Sequence, residues 1–171
     1  MQIAYIRTKE QGHADALLTQ AADRLLGKGM RVQGIVQINT HRPDCHKCDM
    51  DVRVLPDGPV IRISQSLGPE ARGCRLDTAA LEGAIHEVRR RVGDGAEVLI
   101  LNKFGKHEAE GRGFRDLIAQ ALMNGIPVIT AVSSLNLEAF LKFTDGFAVQ
   151  IDAVEGAVCA WAVAQGQLCK A

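Results

Sequence analysis

Apolar positions along the chain switch between two periods. Residues 3–6 (Ile-Ala-Tyr-Ile) form a short apolar run of the kind a buried strand makes, and a turn around Gln11 and Gly12 follows. Next, Ala14, Leu17, Leu18, Ala21, Ala22, Leu25 and Leu26 recur at three- and four-residue spacing. That is the stripe of an amphipathic helix, and Gly27 and Gly29 bracket its end. Residues 32–37 predict a second strand. After an interruption, Leu81, Ala84, Ile85, Val88 and Val92 stripe another helix, with Thr78 as its cap. The continuous apolar run 98–101 suits a parallel strand covered on both faces. Phe114, Leu117, Ile118, Ala121 and Leu122 mark a third helix ended by Gly125, and 127–132 a further buried strand. A short helix at 137–143, a strand at 147–151 and a helix at 154–168 complete the pattern.

The interruption has its own signals. Residues 38–50 carry Asn39, Pro43, Asp44 and a pair of cysteines and read as a loop. Two strands, 51–55 and 60–64, flank Pro56-Asp57-Gly58, a hairpin signal. A second polar loop runs over 65–77. The expectation is one domain over 1–171, a three-layer α/β/α sandwich with a mainly parallel sheet and a small β-hairpin insert at 38–77.

Composition narrows the function classes. The chain has 171 residues, 47% of them apolar, enough to bury a sizeable core. Lys plus Arg and Asp plus Glu both number 20, so the basic excess that grips nucleic acid is missing, and no DNA or RNA partner is expected. No run approaches the roughly eighteen apolar residues of a membrane span. The N-terminus enters a strand-like segment with no signal-peptide pattern, and the five cysteines are an odd number. A reduced, cytoplasmic setting is expected.

In open parallel sheets ligands bind beyond the carboxyl ends of the strands. The first such loop occupies the place of a phosphate-wrapping loop, which needs glycines followed by Lys and Ser or Thr. Here Gly12 is followed by His13 and Ala14. Lys9, Gly12 and His13 are therefore candidates for holding an anion, without the lysine that grips a triphosphate. After the strand at 98–101, a hydrolytic site would place an acidic pair to hold Mg²⁺. Asn102 and Lys103 stand there instead. Lys103, Lys106 and Arg112 favour a multiply charged anion, and Glu108 is the remaining candidate base for hydrolysis, with Glu110 its neighbour.

The insert offers two more clusters. Arg53, Arg72 and Arg75, with Arg62 and the Ser64-Gln65-Ser66 segment, could form an oxoanion pocket or could be a hairpin with ordinary salt bridges. Cys45 and Cys48, with His41, His46 and Cys74, could hold zinc or another soft metal. The same cysteines could be a redox pair or simply free thiols. Cys159 and Cys169 read as packing or surface residues, Arg89 to Arg91 as a helix's polar face, and Trp161 as core or dimer contact.

Four stretches carry a family resemblance: residues 48–55, 63–68, 73–77 and the long segment 102–114 (Asn-Lys-Phe-Gly-Lys-His-Glu-Ala-Glu-Gly-Arg-Gly-Phe). On these the chain resembles an uncharacterised bacterial family of domains of unknown function, often encoded near molybdate-transport genes. More distantly it is similar to small P-loop nucleoside-triphosphatases, whose motifs align with 33–35 and 102–108. The resemblance implies a P-loop-NTPase-like, RecA-like sheet and a link to molybdenum, and it does not carry hydrolysis across. The leading expectation is a non-hydrolytic protein that binds a nucleotide or an oxoanion such as molybdate. The alternatives are an active nucleoside-triphosphatase with degenerate motifs and a metal-binding accessory or regulatory module. A homodimer through an edge strand or end helix is also expected.

Overall fold

The computed structural model describes residues 2–8, 10, 12–40, 49–65, 75–93 and 95–168. Along the chain run β1 (Ile3–Ile6), α1 (His13–Gly27), β2 (Val32–Thr40), β3 (Asp49–Leu55) and β4 (Val60–Arg62). Then come α2 (Thr78–Val92), β5 (Val98–Phe104), α3 (Lys106–Ala109) and α4 (Arg115–Met123). The chain closes with β6 (Val128–Val132), α5 (Leu137–Phe143), β7 (Val149–Gln150) and α6 (Glu155–Leu168). One seven-stranded sheet has the order β4-β3-β2-β5-β6-β1-β7. The ladders among β2, β5, β6, β1 and β7 are parallel, and β3 and β4 add an antiparallel edge.

Strand alternation sends side chains to two cores. On one face, Val32, Val36, Val98, Ile100 and Ile129 pack under α1 and α6. On the other, Ile35, Leu99, Leu101, Val128 and Val132 pack under α2, α4 and α5. The stripe read from the sequence is the face α1 buries, and its three buried leucines (Leu17, Leu18, Leu25) contribute about 5–9 kcal/mol of apolar transfer. Cys159 is a buried free thiol of α6, its Sγ 3.7 Å from the Ala21 carbonyl oxygen, and Trp161 packs against the same cluster. Arg90 and Arg91 both bond Glu87, as a helix's polar face does.

Where elements differ from the pattern, partners explain the change. β2 continues to Thr40 because an antiparallel ladder from Gly34↔Leu55 to Thr40↔Asp49 extends it, so 38–40 are strand rather than loop. β5 runs on to Phe104 across a register shift between Leu101 and Phe104, which puts Asn102 and Lys103 in the strand. The cap of α2 is Asp77, whose Oδ1 accepts the Ala80 N–H at 3.0 Å, and Thr78 is the first helical residue. The strand expected at 147–151 is only β7, where β1 offers two paired residues. Gly34 has φ +124°, and a Cβ there would collide with the Ile100 carbonyl, so this closest approach of β2 to β5 needs glycine.

Among the described residues, no helix is long and apolar enough to cross a membrane.

Candidate functional site at the carboxyl edge of the sheet

β1 hands the chain to α1 on one face, and its neighbour β6 hands it to α5 on the other. The connections after these two strands leave the carboxyl edge, the usual ligand position of such sheets, toward opposite faces. Gly12 starts α1 from the left-handed region (φ 79°), and having no side-chain acceptor it leaves the helix uncapped. The His13 N–H reaches the Glu10 carbonyl at 3.4 Å, while the Ala14 and Asp15 N–H groups meet no partner among the described residues. An uncapped helix start presents amide donors and a partial positive charge, which is what an anion needs. Arg7 on the connection into α1, His13 at its start and Lys103 near the end of β5 are all exposed. The Arg7 guanidinium donates to Ser134 Oγ at 3.0 Å, tying the loop after β1 to the loop after β6.

Behind this start lies a polar network that the motif reading missed. The Asn102 side-chain amide donates to Asp15 Oδ1 at 2.8 Å, and the Asn39 amide donates to Asp15 Oδ2 at 2.5 Å. Gln37 Nε2 donates to Asn39 Oδ1 at 2.7 Å and, longer, to Asp15 Oδ2 at 3.4 Å. The Gln37 backbone N–H donates to Asn102 Oδ1 at 3.1 Å. Asn102 is 4% exposed and Gln37 8%. The network thus ties α1 to β2 and β5, with a single carboxylate at its centre. Its sequence signal was present: Gln37 and Asn39 are polar at period two directly after the apolar pair Ile35 and Val36. Asp15 was masked by its position, because an acidic residue in a first helical turn is ordinary.

The segment 105–114 folds around Glu108. This side chain is 4% exposed, and its two oxygens accept the backbone N–H groups of Gly105 (2.8 Å) and Phe114 (3.1 Å). Gly113, at φ +64°, has no room for a Cβ, which would collide with Glu108 Oε1. Arg115 donates to the Glu108 carbonyl at 3.3 Å and lies over the Phe143 ring, 4.4 Å from its centroid. Phe143 in turn stacks on Phe104. The two glycines and the glutamate of the signature segment therefore build a rigid loop, and the glutamate's oxygens face its backbone. Glu110 engages two of the three expected cations, with Lys106 Nζ at 3.6 Å and the Arg112 guanidinium hydrogen-bonded to it. The Arg112 hydrogen bond, helped by Lys106, holds the Glu110 carboxyl below the usual carboxylate range. Lys103 has no ion pair among the described residues.

The insert's arginines are brought together only in part. Arg53 pairs with Asp23 of α1 at 2.5 Å, and its Nε is buried without a partner among the described residues. Arg62 pairs with Asp49 and Asp51, and Arg75 lies 3.6 Å from Asp49 while donating to the Gln65 carbonyl at 3.1 Å. Arg62 and Arg75 thus meet at Asp49, while Arg53 is engaged by α1. Lys9, Arg72 and the expected metal ligands His41, Cys45, Cys48 and Cys74 lie outside the described residues, as does His46. Among the described residues no group of three or more metal-binding side chains gathers.

The chain matches, over residues 3–161, the family described as a protein of unknown function (DUF2478). It belongs to that family. It is also 36% identical over 160 residues to the molybdenum import ATP-binding protein ModC 2 of Bradyrhizobium diazoefficiens. That match covers 94% of this chain and 18% of the relative, so the chain spans under a fifth of the protein it resembles. Among solved structures, it is similar to THEP1 from the hyperthermophile Aquifex aeolicus, with a TM-score of 0.61, 16% identity and 90% of each chain covered. It is equally similar to a human cancer-related nucleoside triphosphatase, with a TM-score of 0.61, 15% identity and 99% and 98% covered. At these identities the likeness establishes the fold, a P-loop-NTPase-like α/β sandwich.

Proposed function

We propose that this DUF2478 chain binds a small anion, a nucleotide phosphate or an oxometalate, at the carboxyl edge of its sheet and does not hydrolyse it. The observation that carries the reading is the uncapped start of α1, whose Ala14 and Asp15 N–H groups have no partner among the described residues. Gly12 and His13 would supply the first contacts, with Lys103 bringing charge from β5. The case against hydrolysis rests on Asn102, whose amide is committed to Asp15 and Gln37 at the position where a magnesium-holding carboxylate belongs. The buried, doubly bonded Glu108 is poorly placed to take a proton from water. The name of the ModC 2 relative supports including molybdate among the ligands tested.

Isothermal titration with ATP, GTP and molybdate is expected to show at least one binder with a Kd of roughly micromolar order. Phosphate release with Mg²⁺ should stay at background. Absence of binding to all three anions overturns the reading. Turnover that disappears in Glu108→Gln, with folding intact, replaces it with a nucleoside-triphosphatase.

A further inference from the structure

Two cysteine-bearing stretches of the insert leave the sheet from anchors that are bonded to each other. Residues 41–48 carry His41, Cys45, His46 and Cys48 and run between Thr40 and Asp49, the last pair of the β2–β3 ladder. Residues 66–74 carry Cys74 and run between Gln65 and Arg75, where the Gln65 N–H donates to the Arg75 carbonyl at 2.7 Å and Arg75 Nε donates to the Gln65 carbonyl at 3.1 Å. These cysteines lie outside the described residues, and the argument for their placement comes from the anchors. Cys48 directly precedes Asp49 and Cys74 directly precedes Arg75. One peptide unit, about 3.8 Å between Cα atoms, separates each cysteine from its anchor.

The anchors meet. The Arg75 guanidinium lies 3.6 Å from Asp49 Oδ1, and the two side chains are only 13% and 10% exposed. Residues 63–65 bond to the chain on both sides of this pair. The Ile63 N–H donates to the Met50 carbonyl at 2.9 Å, and the Met50 N–H donates to Ser64 Oγ at 3.0 Å. The Asp77 N–H donates to the Ile63 carbonyl at 2.8 Å, and Ser64 bridges Leu76. The chain leaving Cys48 and the chain leaving Cys74 are thus fixed to one short segment.

A Cys-x-x-Cys pair gives one ion two thiolates and needs further ligands from elsewhere. The anchors supply a third thiol from the second stretch, and the first stretch also carries two imidazoles. Three sulfurs and one nitrogen make a ligand set suited to zinc. The Arg75 charge next to Cys74 in the chain favours the thiolate form that binds metal. We propose that the insert holds one zinc ion between its two loops, on Cys45, Cys48 and Cys74, with His41 or His46 as the fourth ligand. The site is independent of the anion-binding reading, so either can fail alone. Binding passes the thiol protons to solvent, and affinity therefore rises with pH.

The test titrates the reduced, metal-free chain with Zn²⁺ and with Co²⁺. Zinc is expected to bind at about one equivalent with a Kd tighter than roughly micromolar, and to raise the Tm. Cobalt is expected to give the thiolate charge-transfer absorption and the visible bands of a tetrahedral complex. Cys48→Ser and Cys74→Ser should each weaken zinc binding by at least about 100-fold, while Cys169→Ser leaves it unchanged. Circular dichroism checks that each variant is folded. A wild-type chain that takes up no stoichiometric zinc overturns the proposal, as does a cobalt complex without thiolate absorption, and neither result needs a variant. A folded Cys74→Ser that binds zinc like the wild type also overturns it, because the second loop then contributes no ligand. So does a Cys48–Cys74 disulfide in protein made in a reducing host, found by peptide mapping of the unreduced chain, which would assign the same juxtaposition to a bond instead of an ion.

Discussion

Replacing Glu108 with alanine tests whether the signature loop is architecture or catalytic machinery. The substitution strips the Glu108 acceptor from two backbone N–H groups, those of Gly105 and Phe114, in a place only 4% exposed. Each orphaned buried donor costs about 1–3 kcal/mol, and the original bonds, made to a charged acceptor, lie in the upper part of that range. The expected loss of stability is therefore about 3–5 kcal/mol. For a chain of this length, each kcal/mol lowers the Tm by about 2–4 °C, which puts the drop at roughly 10 °C. Glu108→Gln keeps one acceptor oxygen but turns an NH₂ group toward the second N–H, so it should lose about 1–3 kcal/mol less than alanine. Urea denaturation followed by circular dichroism gives both values, and thermal melting checks them. If Glu108→Ala loses less than about 1 kcal/mol, the keystone argument is wrong.

Two further perturbations probe other parts of the fold. Gly34→Ala forces a Cβ into the Ile100 carbonyl at a positive φ, and the variant should lose more than about 4 kcal/mol or accumulate as insoluble protein; a soluble variant with wild-type melting would refute the close approach of β2 and β5. For Glu110, whose folded carboxyl is held low chiefly by Arg112, the sign follows from linkage. Its contribution is fully present above the unfolded value near 4.5 and is lost as pH falls through the lower folded value. Comparing urea midpoints of the wild type and Glu110→Gln, a gap at about pH 6 should close by about pH 3 and shrink in high salt, because the pair is exposed. A gap that persists at low pH would show that Glu110 acts through packing instead.

The fold was readable because its signals are periodic and strong. The stripe from Leu17 to Leu25 has a helical period and the run 98–101 has the length of a buried strand, and together they fit helices on both faces of a parallel sheet. The continuation of β2 to Thr40 was hidden because Asn39 and Thr40 look like loop residues, and only pairing with Met50 and Asp49 makes them strand. The site was legible at the level of loops and not of partners. Asn102 does reach the first turn of the helix that Gly12 opens, through Asp15. Glu108 looked like a base because acidity is visible in a sequence, whereas the two amides that occupy it are not. Lys106 and Arg112 looked free for the same reason, since their engagement with Glu110 depends on the turn of α3. Asp15 was overlooked because its meaning comes from two strands distant in sequence.

The outermost strands described here, β4 and β7, are only three and two residues long. So short a flank gives a neighbouring copy little open backbone to extend, and strand exchange between molecules finds almost no template there. For a unit whose counterpart makes up 18% of a longer protein, that brevity favours staying folded and separate over polymerising.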